Sequence, residues 1–170
     1  VAGPSVQIGI DVGGTKVAAG LLVGGRLGDA IEQPTAKGEA DQLIEQIVGL
    51  ASELRKREPA ASAVGVGVPS VVEFKRGTVR SSVNVPLADV PLREVLQGRL
   101  GLPVYVDNDA TCAALAEAHD EAGSLEVQTL VILTLGTGVG GGIVIAGRPY
   151  RGATGAAGEL GHTIVAARAE

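Results

Sequence analysis

The apolar residues of this chain recur with two different spacings, and they predict its elements in order. Val6–Val12 and Val17–Val23 are β-branched apolar runs flanking Gly13-Gly14-Thr15-Lys16, the signature of two strands joined by a tight turn. Gly24-Gly25 makes a second turn into a weaker strand over Arg26–Gln33, which completes an antiparallel meander. The spacing then becomes helical: Leu43, Ile47, Leu50 and Leu54 form one stripe, widened by Ile44 and Ala51 and ended by Pro59. Ala63–Val68 is a continuous apolar run, read as a strand covered on both faces. Val71–Ala88 is irregular with a hairpin possible over Val71–Ser81, and Pro91 starts a helix to Leu100 that Gly101 closes. Val104–Val106 predicts a buried strand, and a helix follows from about Asn108 to Ala122, closed by Gly123. Val127–Leu135 and Ile143–Ala146 are the arms of a second glycine-turned hairpin. No period survives from Gly147 to Gly158, and Gly158–His162 is read as a helix start or a tight turn.

The order βββαβαβα followed by ββ describes a mixed sheet with helical crossovers, then what looks like a repeat of the opening unit. A hinge near Gly123-Ser124 would divide the chain into a lobe over residues 1–122 and the beginning of another over 123–170. Composition narrows the function classes. With 45% hydrophobic but only 2% aromatic residues, the core must be built from Val, Leu, Ile and Ala. Fourteen Lys and Arg against 19 Asp and Glu leave a net charge of −5 and no basic stripe, which argues against nucleic acid as a partner. A nucleotide remains compatible, because backbone amides and Mg²⁺ can bind its phosphates. One cysteine, Cys112, permits neither a disulfide framework nor a cysteine-based zinc cluster, and is read as a small buried apolar residue. No run reaches membrane-span length and no signal peptide is evident, so a cytoplasmic protein without membrane partners is expected.

Four segments carry candidate chemistry. The first turn fails the P-loop pattern, since Lys16 follows threonine and a strand follows instead of a helix. Gly136-Thr137-Gly138-Val139-Gly140-Gly141 satisfies GxGxxG, but a strand resumes at Ile143, which rejects a dinucleotide fingerprint. Either turn could be an ordinary hairpin. Their glycine excess, with three consecutive glycines in the second, points instead to backbone amides that converge on an anion. Asp11 ends the first strand, either as a turn-starting residue or as a carboxylate facing Mg²⁺. Asp107-Asn108-Asp109 lies where a strand meets a helix: one residue caps, and a remaining carboxylate could take a proton from a hydroxyl. Glu159 and His162, spaced i, i+3, would share a face of a helical turn, whereas His119 is read as a solvated residue of the Asp109 helix.

Five segments, in order, resemble the ROK sugar kinases, the family of repressors, open reading frames and kinases, and the bacterial glucokinases in particular. They are Ile8–Lys16, Gly65–Pro69, Val106–Ala110, Thr134–Gly142 and Gly158–His162. The resemblance implies an actin-like, ribonuclease H-like α/β fold with a cleft between two lobes. It implies ATP-dependent phosphorylation of a hexose hydroxyl, with Asp109 as general base. Asn108, Glu159 and His162 would bind the sugar, helped by Ser70 and Asn84. Asp11 would hold Mg²⁺ through water, and Gly13, Gly14, Thr15, Lys16, Gly136, Thr137 and Gly138 would cradle the phosphates. In the family the matching histidine also binds zinc with a downstream cysteine cluster. No cysteine follows Cys112 here, so a chain truncated before that site is expected, with activity and homodimerisation belonging to the longer protein. An N-acylmannosamine or other hexose kinase is the alternative substrate reading. A sugar-sensing module without phosphoryl transfer and an actin-like ATPase are the alternatives of class.

Overall fold

The computed structural model describes residues 5–136 and 138–164. The meander forms as its turns predict: β1 (Val6–Val12), β2 (Lys16–Val23) and β3 (Arg26–Pro34). After them come α1 (Ala40–Arg57), β4 (Val64–Val68), the small hairpin β5 (Ser70–Glu73) and β6 (Thr78–Ser82), α2 (Leu92–Leu100), β7 (Val104–Asn108) and α3 (Asp109–Glu117). A second hairpin, β8 (Leu130–Leu135) and β9 (Val139–Ile145), is extended by the short β10 (Arg148–Pro149), and a 3-10 turn spans Leu160–His162.

The first sheet has the order β3-β2-β1-β4-β7, antiparallel on the meander side and parallel across β1, β4 and β7. Its alternation separates a buried face from an opposite one. Even-numbered Val6, Ile8, Ile10 and Val12 of β1, Val64, Val66 and Val68 of β4, and Val104 and Val106 of β7 are buried. They share one core with Leu43, Ile47, Leu50 and Leu54 of α1 and Leu92 and Leu96 of α2. Odd-numbered positions face the other way: Gly9 and Asp11, Gly65 and Gly67, Tyr105 and Asp107. β4 is nonetheless largely buried, as its continuous run predicts, with only Gly65 partly exposed. Its run is continuous because the second face carries glycines.

α3 is shorter than predicted, ending at Glu117 rather than near Ala122. The Asp120 side chain accepts from the Ser124 amide at 2.7 Å, while the amides of Glu126 and Val127 donate to the Ala118 carbonyl. These bonds offer the backbone a turn in place of a further helical one. Gly123 does take a positive φ of 78°, but inside that turn. The second sheet, β10-β9-β8, lies on α3, where Ala114 and Ala118 pack with Val144, Leu130 and Ile132.

Candidate active site

The odd-numbered face converges at the carboxyl ends of β1, β4 and β7, where α/β folds commonly hold ligands. Asp11 pairs in register with Gly67, and Gly67 with Asp107. Asp109 begins α3 directly above Gly67. A Cβ placed on Gly67 would lie 3.5 Å from the Asp109 Cα and 3.8 Å from both the Asp109 Cβ and the Asp11 Oδ1. The missing side chain thus opens the space that the two carboxylates share. Gly67, quoted above only as part of a motif, is a site residue in its own right.

Capping fixes the base-bearing turn. Asn108 is the N-cap: its Oδ1 accepts from the Thr111 amide at 2.9 Å, and its Nδ2 donates to Asp109 Oδ1 at 3.0 Å. Asp109 Oδ1 also accepts from the Ala110 amide at 2.7 Å. These bonds hold one oxygen, while Oδ2 takes no hydrogen bond from the described residues. Burial holds the Asp109 carboxyl above the usual range, against the Ala110 amide bond, and the neighbouring Asp11 and Glu159 carboxylates add to the rise. Asp11 is raised too, by loss of hydration opposed by Lys16. Raised carboxyls facing one another at strand ends are a functional-site signature.

The first glycine turn is braced from inside. The Gly13 amide donates to the Lys16 carbonyl at 2.8 Å, and Thr35 Oγ1 donates to the Gly13 carbonyl at 2.6 Å. The amides of Gly14 and Thr15 have no backbone partner among the described residues. Lys16 pairs with Glu32 at 2.7 Å. Asn84 is exposed beside the turn, its Cβ 3.3 Å from where a Gly14 Cβ would be. Ser70 is buried, its hydroxyl 2.9 Å from that of Ser82. Among the residues missed from sequence, Thr35 gave no local signal, because its partner is 22 positions away.

In the second turn the Gly136 amide donates to the Gly138 carbonyl at 2.9 Å, and Thr137 lies outside the described residues. A Cβ on Gly136 or Gly138 would meet nothing within 4 Å, so the chain's own packing does not require glycine there. The following three glycines differ, and their reading as part of an anion cradle is corrected. A Gly142 Cβ would strike the Ala110 carbonyl and lie 2.5 Å from the Ala114 Cβ, and a Gly141 Cβ would lie 2.6 Å from the Gly158 carbonyl. They let α3 and the Gly158 segment approach β9.

Glu159 and His162 share one face as expected, with Glu159 Oε2 3.9 Å from His162 Nε2 and the imidazole 85% exposed. Cys112 corrects its prediction, because its residue is exposed. Crowding around its thiol and the Asp107 and Asp109 carboxylates push that thiol up to about 12, so it remains protonated at neutral pH. A hollow of about 440 Å³ lined by Arg93, Gln97, Leu102 and Tyr105 lies between α2 and β7, away from these groups.

A cation fits Asp11: it is an exposed, hard oxygen donor with no hydrogen-bond partner among the described residues, and Mg²⁺ commonly needs one or two protein carboxylates besides phosphate. Zinc does not fit. Among the described residues no group of three or more His, Cys, Asp or Glu is arranged to hold a metal. No described helix is long and apolar enough to cross a membrane.

A family model described as ROK family matches residues 7–170. The chain is 39% identical over 164 residues to a glucokinase of Halalkalibacterium halodurans, covering 93% of this chain and 49% of that protein. It is 40% identical over 156 residues to an N-acetyl-D-glucosamine kinase of Escherichia coli, covering 91% of this chain and 51% of the relative. Among solved structures, the ROK family glucokinase of Streptomyces griseus in complex with glucose and AMPPNP superposes with a TM-score of 0.85 at 35% identity, over 95% of this chain and 51% of that one. The chain spans about half the length of the curated relatives it matches.

Proposed function

The chain belongs to the ROK family and has the actin-like, ribonuclease H-like fold, and from that premise we propose that the protein carrying it is an ATP-dependent hexose kinase. One observation carries the reading: Asp109 stands over Gly67 with one oxygen fixed and one free, facing Asp11 across the same opening. A glucokinase is the first choice of substrate. The E. coli relative at 40% identity favours an N-acetylhexosamine kinase as second.

In this scheme Asp109 Oδ2 accepts the proton of the sugar hydroxyl as its oxygen attacks the terminal phosphorus of ATP. The raised carboxyl gives Asp109 a stronger hold on that proton than a free aspartate has. Asn108 and Glu159, with His162 beside them, bind neighbouring sugar hydroxyls, helped by Ser70 at the start of β5 and by the Asn84 loop. Phosphate oxygens lie against the Gly13-Gly14-Thr15 turn, whose Gly14 and Thr15 amides have no backbone partner among the described residues, and against the Gly136–Gly138 turn. Lys16, held by Glu32, supplies positive field beside the first turn. Mg²⁺, held by Asp11 through water, would neutralise phosphate charge. We propose residues 1–122 as one lobe and 123–170 as the beginning of the other, in a cytoplasmic homodimer.

The deciding experiment is Asp109→Asn in the protein that carries this chain. ADP release over glucose, N-acetylglucosamine and N-acetylmannosamine would fall by about 10²–10⁴-fold on the preferred sugar. Calorimetric sugar affinity would stay within about threefold, because the asparagine oxygen still accepts the Ala110 amide. Undiminished turnover would remove Asp109 as the base, and sugar binding without ADP release by the unaltered protein would support a sensor.

A further inference from the structure

Asp107 has no role in the scheme above, yet it is firmly gripped. Arg151 Nε donates to its Oδ2 at 3.0 Å and its Oδ1 at 3.2 Å, and Arg151 Nη2 donates to Oδ2 at 2.5 Å. The two side chains are 22% and 13% exposed, so water screens the pair little. The guanidinium carbon sits 3.7 Å from the centroid of the Phe74 ring, the chain's one phenylalanine. Arg93 holds the backbone of that residue, donating to the Phe74 carbonyl at 2.7 Å and to the Lys75 carbonyl at 2.9 Å.

The two ends of this clasp belong to different parts of the site. Asp107 immediately precedes the N-cap Asn108 and Asp109. Arg151 opens the segment that leads to Glu159 and His162, and its carbonyl accepts the Ala157 amide at 3.2 Å. Farther along, the segment is fitted by absent side chains: Gly155 lies against the Val72 backbone and Gly158 against the Gly141 carbonyl. Glycine contacts let two surfaces approach but do not by themselves fix their distance. A planar fork on a carboxylate, stacked on an aromatic face, does.

We infer that Arg151 is a positioning residue: through Asp107 and Phe74 it sets the spacing between the base-bearing strand end and the Glu159–His162 arm that would hold the sugar. The inference rests on the kinase reading for its consequence in turnover, and on the clasp alone for its consequence in local order. Arg151 touches neither substrate nor nucleotide in this scheme.

The test compares Arg151→Met, Arg151→Lys, Asp107→Asn and the double variant R151M/D107N in the protein that carries this chain. R151M would lower kcat and raise the hexose KM, about tenfold or more in kcat/KM, with the nucleotide KM within about twofold, since misplacing a substrate-holding group by an ångström is that costly. The double variant would be no worse than R151M, because both changes remove one coupled contact. R151K would recover little, as an ammonium cannot fork both oxygens while stacking. Amide exchange would quicken at residues 108–112 and 157–162 and stay unchanged in α1. Phe74→Leu, which keeps apolar bulk, gives the same pattern more weakly and serves if R151M folds poorly. Unchanged hexose kinetics in an active enzyme, losses that multiply in the double variant, full recovery by lysine, or exchange that quickens in α1 equally would each overturn the inference. An unaltered protein that phosphorylates no hexose would sink the kinase reading instead, and exchange at the two stretches would then decide the clasp.

Discussion

The five-stranded sheet and the three-stranded sheet are both built on a glycine-turned hairpin, but their surroundings differ. In the first, β1 sits between β2 and β4, and its even-numbered side chains meet α1 and α2 in a core of large aliphatics such as Ile8, Ile47, Leu50 and Leu96. In the second, the buried cluster is Ala114, Ala118 and Val144. The outward residues of β8 stand in solvent, with Val131 58%, Leu133 59% and Leu135 79% exposed. The first sheet therefore draws its order from its own core, and the second from its seat on α3. The proposed base, Asp109, lies at the junction, on the helix both sheets touch.

The largest expected effect tests whether the first core is the foundation. Ile47→Ala removes a fully buried side chain of α1, and a loss of about 2–5 kcal/mol is expected from urea titration. Gly142→Ala should act differently, and by less. Its new methyl would overlap the Ala110 carbonyl and the Ala114 Cβ, an overpacking worth about 1–3 kcal/mol. The strain falls on the seat of the second sheet. Amide exchange should quicken over β8 and β9 while β1 and β4 keep their protection. Uniform exchange in G142A across both sheets would erase the distinction between a founding and a seated sheet.

The same contrast governs what the sequence could reveal. The meander, α1 and the presence of a cap within Asp107-Asn108-Asp109 were legible because each depends on neighbours within a turn or a hairpin, whereas only the structure shows that Asn108 is the one that caps. Gly101 closes α2 in a left-handed conformation as its position predicts, with φ of 62°. The end of α3 was illegible, because alanines permit more helix, and what ends it is the Ser124 amide bonding the Asp120 side chain together with the Glu126 and Val127 amides bonding the Ala118 carbonyl. Cys112 was misread because its alanine neighbours suggest burial all round, whereas α3 buries only Ala110, Thr111 and Ala114. The glycines at 140–142 looked like excess in a hairpin, since the helix they admit is about 30 positions earlier in sequence. Arg151 and Thr35 were invisible for a similar reason: their partners lie 44 and 22 positions away. Local rules thus located the carboxylates, and only the fold shows which of them is gripped and which is free.

Protonation offers a smaller test, centred on the junction. Folding raises the Asp109 carboxyl above its ordinary value, chiefly by burial. Below the ordinary value the carboxyl is protonated in both the folded and the unfolded chain, and Asp109→Asn changes little. As pH rises through the ordinary and then the raised value, the unfolded chain ionises more readily, and the folded state loses stability relative to it. At neutral pH, D109N should therefore melt about 1–3 °C higher than the unaltered protein even as turnover falls. The gain should vanish at acid pH, and the acid limb of kcat/KM in the unaltered enzyme should sit above the ordinary carboxylate range. A D109N protein that melts lower at neutral pH would mean that Asp109 is held there by favourable charge pairing, contrary to its carboxylate neighbours.

The smallest expected effect on stability comes from Gly136→Ala, and it separates two uses of glycine in one hairpin. Gly142 is glycine because a helix occupies the space of its side chain. At Gly136 that space is open, and φ is not in the left-handed region, so alanine there should fold with a change within about 0.5 kcal/mol. If the turn nevertheless lies against phosphate, the added methyl occupies the approach that the oxygen needs. The nucleotide KM should rise severalfold while the hexose KM and the melting temperature hold. Equal nucleotide kinetics in G136A and the unaltered enzyme would return that turn to a structural hairpin, leaving the Gly14-Thr15 amides as the phosphate site. A fall in melting temperature as large as that of G142A would show instead that the tip of the second hairpin is packed as closely as its base.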